Sequence, residues 1–343
     1  MNKFIEKIGN FEFNIYTKLN KIEQPFNRNI PQNRFIPTKI NIMLLDYNSV
    51  TKKFIEYCKK TYKRTEPIEL RVFYSKINKI LNKNFSLNNH VNEYYCKENN
   101  IFAIFPYYTD SFYLHYSYNT NNIYLIGNEK NLNRVILDFL TVDAKYLPLH
   151  ASAVGKNETS LCFFSDSGCG KTSIMIKLLE THFDFIADDS LFISQDKVFR
   201  VYNMINIRKD FPNNPVISSI VSKEKSAKIS LNTEYFSKRL GFKLGNSYAN
   251  RKYILLLKDK NNIKKYDTYN LLHKLDEPFP AISMHSFWCA HYMLKNNIEN
   301  FITDKIYTSV RFWEEELKDT VFLYTNEIWK KNRSDTIEKI INI

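Results

Sequence analysis

Lys171 and Thr172 close an eight-residue run, Ser165, Asp166, Ser167, Gly168, Cys169, Gly170, Lys171 and Thr172, whose spacing is that of a phosphate-binding loop. Every defined position of G-x-x-x-x-G-K-[ST] is met except the first, where Ser165 replaces glycine. Such a loop works because successive main-chain N–H groups converge on phosphate oxygens while the helix that follows lends its positive end. Gly168 and Gly170 let the backbone close round the anion, Lys171 reaches the β- and γ-phosphates, and the Thr172 hydroxyl can ligate Mg²⁺. With Ser173 at the start of the helix, residues 165–173 form the expected ATP-binding set. The chain has only seven glycines, and two of them fall in this run. If position 165 needs a left-handed backbone, serine there carries a strain of ~1 kcal/mol and weakens the nucleotide.

Sixteen residues past Thr172, the apolar run FDFIADD ends in Asp188 and Asp189. One carboxylate there can hold Mg²⁺, while the other orients an attacking hydroxyl and takes its proton. The working division makes Asp188 the base and gives the metal to Asp189 with Thr172. His150 opens the strand that leads towards the loop, from which its ring can face the same site.

From His150 to Asp189 the order H-A-S-A-V, apolar strand, D-S-G-C-G-K-T, helix and I-A-D-D resembles the catalytic domain of HPr kinase/phosphorylase and its kinase-like relatives, including those that modify peptides in biosynthetic clusters. About forty residues carry the match. The resemblance implies active-site roles for His150, Asp188 and Asp189 beside Lys171 and Thr172, and a fold related to phosphoenolpyruvate carboxykinase. It also places a basic residue near the phosphates within N-M-I-N-I-R-K (203–209), so Arg208, and behind it Lys209, are candidates. The glycine-rich signature that follows the acid pair in the phosphorylases is absent from 203–250, where Gly241 and Gly245 are the glycines. The expectation is therefore an ATP- and Mg²⁺-dependent kinase acting on a hydroxyl, serine by preference, of a peptide or small protein. A nucleotide-binding regulatory or accessory module without phosphate transfer is the alternative, and a carboxykinase-like metabolic enzyme lacks an identifiable set of substrate arginines.

The elements that must position these residues divide near residue 146. In 1–145, the first 30 or so residues, with prolines at 25, 31 and 37 nearby, read as an irregular lead-in. KINIMLLDY (39–47) reads as a strand and 49–64 as a helix with a basic face. Short aromatic and β-branched runs between 68 and 128 read as a β-meander, and 131–146 as an amphipathic helix capped by Asn131. In 146–343, residues 149–155 and 160–164 read as a hairpin before the loop, 190–202 as a hairpin about 195–196, 252–259 and 319–325 as strands, and 283–296 and 334–343 as helices. The expected fold class is thus α/β with an α+β tendency, and the resemblance implies a P-loop kinase domain of the HPr kinase type with a mixed sheet, preceded by a β-rich region suited to acceptor recognition by strand addition.

Composition bounds the rest. The 343 residues are 44% hydrophobic, with 23 Tyr and 26 Phe, enough for packed cores. The net charge of +13 spreads along a Lys- and Asn-rich chain without a concentrated patch, which argues against nucleic acid as partner. The five cysteines show neither C-x-x-C spacing nor a Cys/His cluster, so they are expected to be reduced. No run approaches the length of a membrane span and the N-terminus has no apolar signal stretch, so a cytoplasmic protein is expected, and assembly into homo-oligomers is left open. The aromatic helix 283–296 reads as core and the basic stretch 258–265 as a solvated hairpin tip.

Overall fold

Strands dominate the computed structural model, which describes residues 1–22, 26–27, 30, 37–64, 93–97, 100–105, 112–117, 122–142, 147–149, 151–165, 168–194, 197–208, 215–221, 228–257, 319–324 and 340. They fall into two compact units, one drawn from Met1–Gln24 and Pro31–Ala144, the other from Pro25–Ile30, Lys145–Pro280 and Val310–Ile343. The helices expected at 283–296 and 334–343, apart from Ile340, and the basic stretch 258–265 lie outside the described residues.

The first unit contains β1 (Asn2–Ile8), β2 (Phe11–Thr17), β3 (Thr38–Leu45), α1 (Ser49–Thr61), β4 (Lys63–Arg64), β5 (Glu93–Lys97), β6 (Asn100–Phe105), β7 (Phe112–Ser117), β8 (Asn122–Ile126) and α2 (Glu129–Val142). Its strands form one mixed sheet in the order β1-β2-β3-β8-β7-β6-β5-β4. The later runs of the expected meander are borne out, since β5 to β8 pair antiparallel in succession, while its first run, 68–74, lies outside the described residues. The irregular lead-in is not: residues 2–17 form the antiparallel β1–β2 hairpin. Its turn uses Gly9 at φ 54°, a backbone that glycine adopts without steric cost, and the prolines all follow Thr17.

Alternation fixes the two faces of this sheet. Phe13, Ile15, Ile40, Ile42, Leu44, Ile123 and Leu125 are buried together on one face, and Phe139 of α2 packs its ring on Phe11 and Phe13. Each fully buried Phe or Ile here contributes about 1.5–3 kcal/mol. On the other face α1 seats Ile55 and Cys58 against Ile126 and Leu45. Asn48 caps α1 reciprocally with Thr51. In α2 the sequence expectation shifts: Asn128 accepts from the Asn131 N–H, while the Asn131 side chain returns to the Asn128 N–H, so Asn131 is the inner partner rather than the cap.

The second unit contains β9 (Leu147–Leu149), β10 (Ala151–Lys156), β11 (Thr159–Phe164), α3 (Lys171–Leu179), β12 (Asp184–Ala187), β13 (Leu191–Ile193), β14 (Val198–Phe199), β15 (Met204–Arg208), α4 (Pro215–Val221), β16 (Lys228–Asn232), α5 (Thr233–Leu240), β17 (Ser247–Tyr248), β18 (Asn250–Leu257) and β19 (Val321–Tyr324). Its main sheet is mixed, in the order β12-β10-β11-β18-β19, and smaller sheets run β17-β14-β13-β9 and β15-β16. The single strand expected at 149–155 is two: β9 pairs with β13, whereas β10 pairs with β11. β10, β11 and β18 are near-continuous apolar runs because both their faces are covered. α3 covers one of them, burying Ile174, Met175, Leu178 and Leu179 in a cluster with Phe163, Phe185, Ile254 and Leu256. The Tyr248 ring occupies a slot between Gly155 and Gly245, where a Cβ on either glycine would overlap it, and its hydroxyl donates to Asp184 at 2.5 Å.

Candidate functional site

β11 and β12 run in the same direction with β10 opposed between them, so the ends of β11 and β12 and the start of β10 share one edge of the sheet. In open α/β sheets this carboxyl edge is where ligands bind. The chain leaves β11 at Ser165, turns through Gly168 at φ 82° and Gly170 at φ 94°, and enters α3 at Lys171. These are backbones that L-residues avoid, which explains two glycines in a glycine-poor chain. Gly170 is the N-cap and offers no side chain to the first N–H groups of α3.

Lys171 is 7% exposed, and its Nζ donates to the Ser165 carbonyl at 2.9 Å and to Ser165 Oγ at 3.4 Å. The ammonium is thus held over the loop by the residue that replaces the first glycine. Ser165 itself carries no left-handed strain. The non-glycine residues with positive φ among those described are Asn157, Glu158, His182 and Asp189.

Asp188 is fully buried. Its Oδ1 accepts from Thr172 Oγ1 at 2.8 Å and Ser152 Oγ at 2.7 Å, and its Oδ2 from the Asn206 N–H at 2.7 Å. Burial, and then the charge of Asp189, push its carboxyl up to about 6, against the pull of these three donors. Adjacent residues of a strand point to opposite faces, but β12 ends at Ala187 and Asp189 turns left-handed at φ 65°. That turn brings the second carboxylate round to the same neighbour: Asn206 Nδ2 donates to Asp189 Oδ2 at 2.7 Å, and Ser230 Oγ donates to Asn206 Oδ1 at 2.6 Å. Burial, and then the charge of Asp189, also push the Tyr202 hydroxyl up to about 12.

Of the residues expected from sequence, Lys171, Thr172, Asp188 and Asp189 come together at this edge, with Cys169 buried and Ser173 half-buried beside them in the chain. Arg208 stands at the exposed end of β15, two residues beyond Asn206, which makes the contacts to the acid pair instead. His150, Asp166, Ser167 and Lys209 lie outside the described residues. Ser152, Asn206 and Ser230 were not anticipated. Asn206 lies in the segment read for Arg208, and alternation puts both on the face of β15 opposite buried Ile205 and Ile207.

The groups here that could ligate a metal are all oxygen: the Thr172 hydroxyl and the two carboxylates. That set fits Mg²⁺, which keeps several waters and takes one or two carboxylates besides phosphate. No group of three His, Cys, Asp or Glu residues suited to a protein-only metal cage occurs among the described residues. Cys58, Cys162 and Cys169 are buried. No described helix is long and apolar enough to cross a membrane. No known family model matches the chain, and no curated protein does.

Proposed function

We propose that the chain binds Mg-ATP at residues 165–172 and transfers the γ-phosphoryl group to a hydroxyl, serine by preference, of a peptide or small protein. The observation that carries this reading is the hydrogen bond from Thr172 to Asp188. A glycine loop before a helix binds anions in general. A loop whose metal-binding hydroxyl is tied to a carboxylate from a neighbouring strand end has the two parts that phosphoryl transfer requires. The antiparallel β10 between β11 and β12 supports assigning the second unit to the P-loop kinases of the HPr kinase type.

On this reading Lys171 exchanges the Ser165 carbonyl for phosphate oxygens, and the first N–H groups of α3 meet the same charge. Asp188 and Thr172 would hold Mg²⁺, which would supply charge neutralisation to the phosphates. Full burial and three donors suit Asp188 to holding Thr172 and the metal site, which favours exchanging the roles expected from sequence. Half-buried Asp189 then orients the acceptor hydroxyl and takes its proton as the new P–O bond forms and the bond to the departing ADP oxygen breaks. Selection of the acceptor is assigned to the first unit, whose sheet has β1 at its edge.

The same buried Asp188 suits a module that binds nucleotide without transferring phosphate, and one experiment separates the two. The full chain is titrated with Mg-ATP by calorimetry and incubated with γ-labelled ATP and serine peptides. Binding with label transfer, both lost in folded Lys171→Ala, supports the kinase. Binding without transfer to any acceptor or to the chain itself selects the module, and no binding overturns both.

A further inference from the structure

We infer that Asn206 is a positioning residue for the acid pair, held in its working orientation by Ser230. The inference rests on the kinase reading and adds to it the device that lets two adjacent carboxylates serve one site. Asn206 uses a main-chain and a side-chain donor there, the N–H on Asp188 Oδ2 and the amide Nδ2 on Asp189 Oδ2. An amide can present either its oxygen or its nitrogen to a neighbour; the Asp189 carboxylate, which accepts, selects the nitrogen, and the Ser230 hydroxyl donated to Asn206 Oδ1 holds the other end of the amide in place. Register reinforces this, because Asn206 and Ser230 are direct cross-strand partners in the β15–β16 pair. Asp189 needs such a tie, since its left-handed backbone and the like charge beside it both work against this arrangement. An uncharged donor serves where a third carboxylate would add repulsion.

Partners that orient metal-site carboxylates change metal affinity or activity by about 10–100-fold when removed. In Asn206→Ala the main-chain bond to Asp188 survives and the amide is lost. The expected result is a phosphoryl-transfer rate lower by about 10–100-fold, with the Mg²⁺ midpoint for ATP binding, ATP binding in EDTA and the melting temperature near wild type. Ser230→Ala should lower the rate by less, and Ser230→Thr, which keeps the hydroxyl, should restore it.

A second measurement needs no nucleotide. The carboxyl carbon resonance of Asp189, assigned through Asp189→Asn, should shift in Asn206→Ala and shift less in Ser230→Ala. An unmoved Asp189 resonance in a folded Asn206→Ala overturns the clamp whatever the chain does with ATP. A resonance that shifts in Asn206→Ala while the wild-type chain binds no Mg-ATP leaves the clamp standing and removes the kinase reading. An unchanged transfer rate in active Asn206→Ala overturns the positioning role.

Discussion

Thr172 and Asp188 are joined across 2.8 Å although the rest of α3 and all of β12 lie between them in sequence. The bond pins the first turn of α3, which follows the glycine loop, to the end of the strand that carries the acids. Thr172→Val keeps the shape and removes the donor, whereas Thr172→Ser keeps the donor. Titration with ATP should show the Mg²⁺-dependent gain in affinity falling about 10–100-fold in the valine variant and surviving in the serine variant. ATP binding in EDTA should be similar in all three proteins.

Burial makes Asp188 a cost to the fold at neutral pH. Its carboxyl sits at about 6 rather than 3.8, so the folded chain holds that proton more tightly than the unfolded one. The destabilisation is absent at the acid end, builds as pH rises from about 4 to about 6, and is complete above that. Asp188→Asn removes the charge. The new amide can accept from the Asn206 N–H while donating to Ser152 and Thr172, whose hydroxyls accept as well as donate. In metal-free buffer the variant should melt at a higher temperature than wild type above pH 6, with the gap closing as pH falls towards 4. Equal melting at neutral pH would refute a buried, ionised Asp188.

Asp189 is constrained in backbone as well as in charge. Asparagine tolerates a left-handed φ better than most residues, while β-branched residues are strained there. Asp189→Asn should keep the melting temperature within a few degrees of wild type and cut transfer by about 10²–10⁴-fold, the usual worth of a general base. Asp189→Val should lose stability as well, which a urea denaturation series would register.

How far these contacts could be read from the chain depends on how local they are. The turn from strand to helix through Gly168 and Gly170 was legible because its glycines stand in eight consecutive residues, and β3 and α1 because their periods are clean. The β1–β2 hairpin was obscured by prolines taken to govern a segment that ends before they begin. Between β9 and β10 the sequence L-H-A carries no Gly, Asn or Asp to mark a turn, and the change of partner strand distinguishes the two. Ser152 and Asn206 carry no spacing signal at all. They reach Asp188 from 36 and 18 residues away, a relation that the sheet creates.

The assignment of acceptor recognition to the first unit makes its outer strand testable. β1 lies at the sheet edge, and Ile5 in its middle is 52% exposed. An edge strand offers main-chain groups to an extended peptide, and a charge there opposes pairing. Ile5→Lys should raise KM for a peptide acceptor several-fold and leave KM for ATP unchanged. Steady-state kinetics with each substrate varied in turn would show this, and equal peptide KM values would remove β1 from the assignment.

The slot that holds Tyr248 sets a rule for divergence. Because a methyl group on Gly155 or Gly245 would occupy the space of the ring, neither glycine can drift to alanine unless position 248 shrinks in the same lineage. Asp184 is bound into this set through the tyrosine hydroxyl. Four positions scattered between β10 and β18 should therefore be inherited as a block, and a distant relative in which most other residues have been replaced could still be recognised by that quartet.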